Sequence, residues 1–139
     1  MKTYKIIDHT ADFSFQVFGK NLEDLFINSA FALINIIFGN KLQLPKFPKI
    51  RKFKIKLKSN DQESLIIDWL REIHYLAIVE KEIVRNILNL EILDSTISAE
   101  LEMQKIEQTL ENEIKAITYS NIQIKEENGL LSFIVVCDV

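Results

Sequence analysis

The stretch Asp8-His9-Thr10-Ala11-Asp12-Phe13-Ser14-Phe15-Gln16-Val17 decides how this chain begins. Phe13, Phe15 and Val17 alternate with Ser14 and Gln16, the two-residue period of a half-buried strand. The run Tyr4-Lys5-Ile6-Ile7 just before it reads as a second short strand, so residues 8–12 form the turn between them. On a regular strand Asp12 shares the polar face of Ser14 and Gln16. The turn brings together two carboxylates, an imidazole and a hydroxyl, with Ala11 its only residue lacking a polar side-chain group. Such a turn can offer oxygen ligands to a hard cation. Asp and Thr are equally ordinary turn formers that bond their own backbone.

Working outward, Gly19-Lys20 closes the strand and Asn21 opens a helix as N-cap, with Glu23 and Asp24 placing negative charge in its first turn. Leu22, Leu25, Phe26, Ala30, Leu33, Ile34 and Ile37 keep helical spacing, while Ile27, Phe31, Ile36 and Phe38 spread apolar surface around the circumference. That distribution predicts a helix buried on more than one side, ended by Gly39-Asn40. Residues 41–49, with Pro45 and Pro48, form a loop. In residues 52–58, Phe53, Ile55 and Leu57 alternate with Lys52, Lys54, Lys56 and Lys58. A lysine row of this kind is a solvated face that guards a sheet edge, or a docking surface for an anionic partner.

Asn60 and Glu63 have the spacing of a capping box at the start of a second helix, whose buried stripe is Leu65, Trp69, Ile73, Leu76 and Ala77. His74 and Asp68 on this helix are assigned no role. Residues 83–93 and 96–106 read as an antiparallel pair turning at Asp94-Ser95. Residues 113–119 read as a short helix or an extended turn. Ile122 and Ile124 begin a strand that returns through the hairpin turn Glu126-Glu127-Asn128-Gly129. Residues 130–136 are apolar on both faces, as a central strand should be. The expectation is an α+β fold with mixed or antiparallel sheets packed on two main helices, in one domain spanning residues 1–139.

Composition narrows the function. The 139 residues are 47% hydrophobic and 27% charged, as in an ordinary globular chain. No apolar run approaches the length that spans a bilayer, so no membrane partner is expected. Cys137 is the single cysteine, which rules out an internal disulfide and fits a cytoplasmic location. It also rules out a cysteine-based zinc site, and His9 and His74 are the only histidines, so any metal should be held mostly by oxygen. The net charge of −3 argues against a free-standing nucleic-acid binder. Yet Lys46, Lys49, Arg51, Lys52, Lys54, Lys56 and Lys58 follow one another with no acid among them, leaving the remainder strongly acidic.

The final apolar strand delivers Asp138 and Val139 to the end of the sequence. If it lies beside the strand that starts at Asp12, the carboxylates of Asp12 and Asp138 and the Val139 α-carboxylate converge. Such a cluster repels itself unless a cation neutralises it, and carboxylate oxygens suit Ca²⁺, Mg²⁺ or Mn²⁺.

Five stretches together resemble the archease family: Asp8-His9-Thr10-Ala11-Asp12; Gly19 with Asn21-Leu22-Glu23-Asp24-Leu25-Phe26; Asp68-Trp69-Leu70 closing residues 65–70; Lys115-Ala116-Ile117-Thr118-Tyr119; and Cys137-Asp138-Val139. Their order and spacing match along the whole chain. The resemblance implies an accessory protein, not a stand-alone enzyme. It would promote guanylylation and repeated turnover of an RtcB-type RNA ligase in tRNA splicing and RNA repair, meeting tRNA only through the ligase. It also implies a divalent metal held by Asp12, Asp138 and Val139, with Ca²⁺ the expected occupant in a crystal and Mg²⁺ or Mn²⁺ in the cell. Asp8 and His9 would stand behind those ligands, and Lys115 would meet a phosphate or a ligase carboxylate. The sequence departs from the family pattern at Phe13-Ser14, where a small or aliphatic residue and Gly are frequent, and at Ser120, where His is frequent.

Two other classes compete. A small metal-dependent phosphoesterase would use the same carboxylates, although neither a nucleophile and base set nor a Gly-rich phosphate loop accompanies them. A chaperone-like binding module would carry the acidic cluster incidentally.

Overall fold

The computed structural model describes residues 2–9, 12–39, 42, 44–107, 110–119 and 123–139; the side chains of Asp8, His9 and Asp12 lie outside that description. The opening alternation forms the expected pair, but the strands run further than expected: Asp8, His9 and Asp12, read as part of the turn, are paired in the ladders. β1 (Tyr4–His9) and β2 (Asp12–Gly19) run antiparallel, with Tyr4 opposite Val17 and His9 opposite Phe13. Phe13, Phe15 and Val17 are buried.

β2 passes into α1 (Leu22–Phe38) through a contact only glycine allows: a Cβ on Gly19 would lie 2.6 Å from the Leu25 backbone nitrogen. Asn21 caps the helix by accepting the Asp24 N–H at 2.8 Å, and the Asp24 carboxylate accepts the Lys20 N–H at 2.9 Å. At the other end Gly39 takes φ 67°, the left-handed value that ends a helix. As its all-round apolar surface predicts, α1 is buried widely and packs on β2, on a second helix and on the other sheet.

β3 (Ile50–Lys58) leads to α2 (Gln62–Ile78). The cap of α2 is Asp61, whose carboxylate accepts the Ser64 N–H at 2.7 Å, in place of the expected Asn60–Glu63 box. The amide bond to Ser64 also lowers the Asp61 carboxyl below its usual value. β4 (Glu82–Leu93) and β5 (Thr96–Lys105) form the expected hairpin, turning at Asp94 with φ 54°. Residues 113–119 are neither helix nor turn alone: β6 (Ala116–Thr118) forms there, because its backbone finds a neighbouring strand and its large apolar side chain, Ile117, is buried. The next strand, β7 (Lys125–Glu127), starts beyond Ile124, while Ile122 lies outside the described residues. Asn128 and Gly129, at φ 54° and 79°, turn the chain into β8 (Leu130–Asp138).

The strands make two antiparallel sheets, one ordered β1-β2-β8-β6 with β7 also on β8, the other β3-β5-β4. β8 is central, as its apolar sequence predicts. β3 is an edge, and its lysines stand on the outer face with Lys52 opposite Glu102 and Lys54 opposite Glu100. Arg51 reaches to the buried Glu82 with a bidentate pair, Nη2 to Oε1 at 2.7 Å and Nε to Oε2 at 2.9 Å. That pair lowers the Glu82 carboxyl below its usual value. Each helix touches both sheets, so the core lies around the helices and between the sheets.

Trp69 joins these layers. It is fully buried, its ring lies 6.3 Å from that of Phe26, and its indole N–H donates to the Phe26 carbonyl at 2.9 Å. Trp69→Ala is expected to cost about 3–5 kcal/mol, read as a lower urea midpoint. A loss under about 1 kcal/mol would mean the core does not hinge on this residue.

Candidate functional site

The β2–β8 ladder pairs Asp12 with Asp138, Phe13 with Cys137, and so on to Gly19 with Leu131. Phe13, Cys137, Phe15, Val135, Val17 and Phe133 are all buried, so this face of the ladder belongs to the core. Asp12 and Asp138 are directly opposed in the register, one residue out of step with that apolar set. The beginning of one strand and the end of the other therefore meet, the adjacency on which a shared carboxylate site depends. Asp138 and Val139 are exposed.

β6 completes the neighbourhood from the other side. Ala116 is opposite Asp138, Ile117 opposite Cys137, and the Lys115 N–H donates to the Asp138 carbonyl at 2.8 Å. Lys115 is exposed beside the end of β8. Asp8 pairs with Ser14 and His9 with Phe13 on the opposite edge of β2, so both are neighbours of Asp12 along the ladder. Thr10, Ala11 and Ser120 lie outside the described residues. Among the described residues no group of three or more His, Cys, Asp or Glu side chains is arranged to hold a metal, and the Asp12 side chain is not among those described. What the backbone register supplies is Asp12 opposite Asp138 where two strand ends meet, with the Lys115 amide bonded to the Asp138 carbonyl.

Lys52, Lys54, Lys56 and Lys58 belong to the other sheet. Lys56 and Lys58 stand opposite Ser98 and Thr96, so the basic character of that row is strongest toward its far end.

Two residues assigned no role in the sequence hold this region together. The His74 Nε2 donates to the Ile114 carbonyl at 2.6 Å. Asp68, expected to be a solvated charge, accepts from the Ser59 hydroxyl at 2.5 Å and from the Tyr119 hydroxyl. The bond to Asp68 raises the Tyr119 phenol above its usual value, keeping it a donor. Arg71 completes the set, with Nε 3.0 Å from the Ile117 carbonyl and its guanidinium 4.1 Å from the centre of the Tyr119 ring. The available signal was the three-residue spacing of 68, 71 and 74 beside the apolar stripe of α2.

Two antiparallel sheets on a pair of helices, closed by a last strand that returns to the first hairpin, define the class. The fold is shared with a solution structure of a Methanobacterium thermoautotrophicum protein, at TM-score 0.74 and 25% identity over all of both chains. It is also shared, at TM-score 0.65 and 18% identity, with the crystal structure of a Thermotoga maritima archease described as a possible chaperone, covering 97% of this chain and 96% of that one. A profile of the archease protein family matches residues 4–139. The archease of Methanosarcina barkeri is 36% identical over 143 residues, 97% of this chain and 95% of its own. That of Thermoplasma volcanium is 32% identical over 130 residues, 91% and 93% of the two chains. The chain belongs to the archease family.

No helix among the described residues is long and apolar enough to cross a membrane. Cys137 is no nucleophile: it is fully buried, and burial, aided by the adjacent Asp138 charge, pushes its thiol up to about 12. The folded protein should therefore leave Ellman's reagent unreacted at pH 8, and one thiol should appear on unfolding in urea. Rapid reaction of the folded protein would contradict this burial.

Proposed function

We propose that this archease is an activator of an RtcB-type RNA ligase, acting in tRNA splicing and RNA repair by promoting guanylylation and multiple turnover of the ligase. The observation that carries the reading is the direct opposition of Asp12 and Asp138 in the strand register, with the Lys115 amide on the Asp138 carbonyl. Membership of the archease family supports it. In this reading Asp12, Asp138 and the Val139 α-carboxylate hold a divalent cation, Mg²⁺ or Mn²⁺ in the cell and Ca²⁺ under crystallisation conditions. The cation supplies positive charge at the face that meets the ligase. Asp8 and His9 orient the ligands from the adjoining strand, and Lys115 engages a phosphate or a ligase carboxylate. The exposed Asp138 and Lys115 suit presentation to a partner, and the single thiol is sealed in the core, which favours an accessory role in the cytoplasm over catalysis by this chain alone. Lys56 and Lys58 are the members of the lysine row best placed for an acidic surface of the ligase or for RNA held by it.

The test is multiple-turnover ligation of RNA ends by the cognate ligase with substoichiometric archease. The native chain should accelerate turnover, and Asp12→Ala and Asp138→Ala should each abolish most of the acceleration while remaining folded. Acceleration that survives both substitutions would transfer the reading to a chaperone-like module. Absence of acceleration by the native chain, with hydrolysis of a generic phosphoester, would replace it with a metal-dependent phosphoesterase. Activation unchanged after neutralising Lys52, Lys54, Lys56 and Lys58 would remove the lysine row from the interface.

A further inference from the structure

β6 has three residues and β8 on only one side. A strand that short holds little structure by its own pairing. Its other edge is met by a helix. His74 and Arg71, three residues apart on α2, donate to the carbonyls of Ile114 and Ile117 at 2.6 and 3.0 Å, and Asp68, three residues further back, takes the Tyr119 hydroxyl. The side chains at 74, 71 and 68 thus meet the segment at 114, 117 and 119 in order, as a neighbouring strand would, but with two side-chain donors and one side-chain acceptor. Between the first two contacts lies the Lys115 N–H that holds the Asp138 carbonyl. The segment is fixed upstream as well: the Glu111 and Asn112 amides donate to the Ile37 carbonyl at the end of α1, at 2.8 and 3.1 Å, and the Asn112 side chain donates to the Ile36 carbonyl at 2.7 Å.

We infer that His74 and Arg71 are positioning residues which clamp the free edge of β6 and so steady the end of β8 at Asp138, whose register opposite Asp12 the core has fixed. Neither touches the carboxylate pair; both act through the backbone of residues 114–117. The chemistry fits a fixed brace. The Ile114 carbonyl can only accept, so it fixes the His74 ring with its hydrogen on Nε2. The arginine uses one nitrogen for the Ile117 carbonyl while its plane lies over the Tyr119 ring, a pairing that lysine cannot reproduce. The consequence for a bound cation rests on the carboxylate-site reading above; the clamp itself does not.

Amide hydrogen exchange at Lys115 reads the clamp directly, with amides of α1 as the internal reference for global stability. His74→Leu and Arg71→Met should each speed Lys115 exchange, relative to α1, by roughly fivefold, the loss of one hydrogen bond. His74→Gln, which keeps a donor, should restore protection. Mn²⁺ titration of the same proteins, with Asp138→Asn as control, should show His74→Leu and Arg71→Met weakened by a similar factor and Asp138→Asn weakened most. Lys115 exchange that rises no more than that of α1 would overturn the proposal, as would undiminished Mn²⁺ affinity in both clamp variants when Asp138→Asn has lost it. Equal Mn²⁺ binding by the native chain and Asp138→Asn would instead overturn the carboxylate-site reading, and Lys115 exchange would still decide the clamp.

Discussion

The pairing of β2 with β8 is the constraint from which the rest follows. It joins the opening of the sequence to its far end through a continuous register from Asp12↔Asp138 to Gly19↔Leu131. One face of that ladder is fixed by burial of Phe13, Phe15, Val17, Phe133, Val135 and Cys137. Because side chains alternate, a slip of one residue would expose the whole apolar set, so the hydrophobic core enforces the register. The opposition of two acidic residues in the register, Asp12 and Asp138, is then a consequence of core packing. Like charges directly opposed across strands are unfavourable.

The helices make this ladder rigid. α1 lies against β2 and reaches the second sheet, while α2 packs under the second sheet and also contacts β6. Trp69 ties one helix to the other through the Phe26 carbonyl, and Ile36 and Ile37 at the end of α1 hold the segment that leads into β6. The end of β8 is thereby supported on both edges, by β2 and by a three-residue strand that α2 braces. The support uses backbone carbonyls as acceptors, which makes it insensitive to the side chains that β6 presents outward.

Much of this was legible in the sequence. The alternations at 13–17 and 52–58, the glycine ending α1, the turn at Asp94 and the apolar run in β8 each contain a local signal with a period or a dihedral requirement. Family-like stretches at Asp8–Asp12 and Cys137–Val139 pointed to the two ends, and the register brought Asp12 and Asp138 together. What the sequence concealed is tertiary in origin. β6 is a strand because β8 and α2 surround it; Ile117 and Thr118 favour a strand, but three residues are too few to declare one alone. The capping box lost to Asp61 because two adjacent residues could each cap the helix, a one-residue ambiguity that propensity does not resolve. His74 and Asp68 looked idle because their partners lie on a segment about forty to fifty residues away in the sequence. The lysine row was legible as an edge, but its cross-strand glutamates became visible only with the register.

The claim that the β2–β8 register makes one cation site from the two ends is tested most directly by paramagnetic relaxation. Amide spectra would be recorded while Mn²⁺ is added in substoichiometric steps. The account predicts that signals of Phe13, Ala116, Cys137 and Asp138 broaden together and first, because all four lie around the opposed carboxylates. Broadening that begins at Glu100 and Glu102, or at Glu126 and Glu127, with those four signals left sharp, would contradict it.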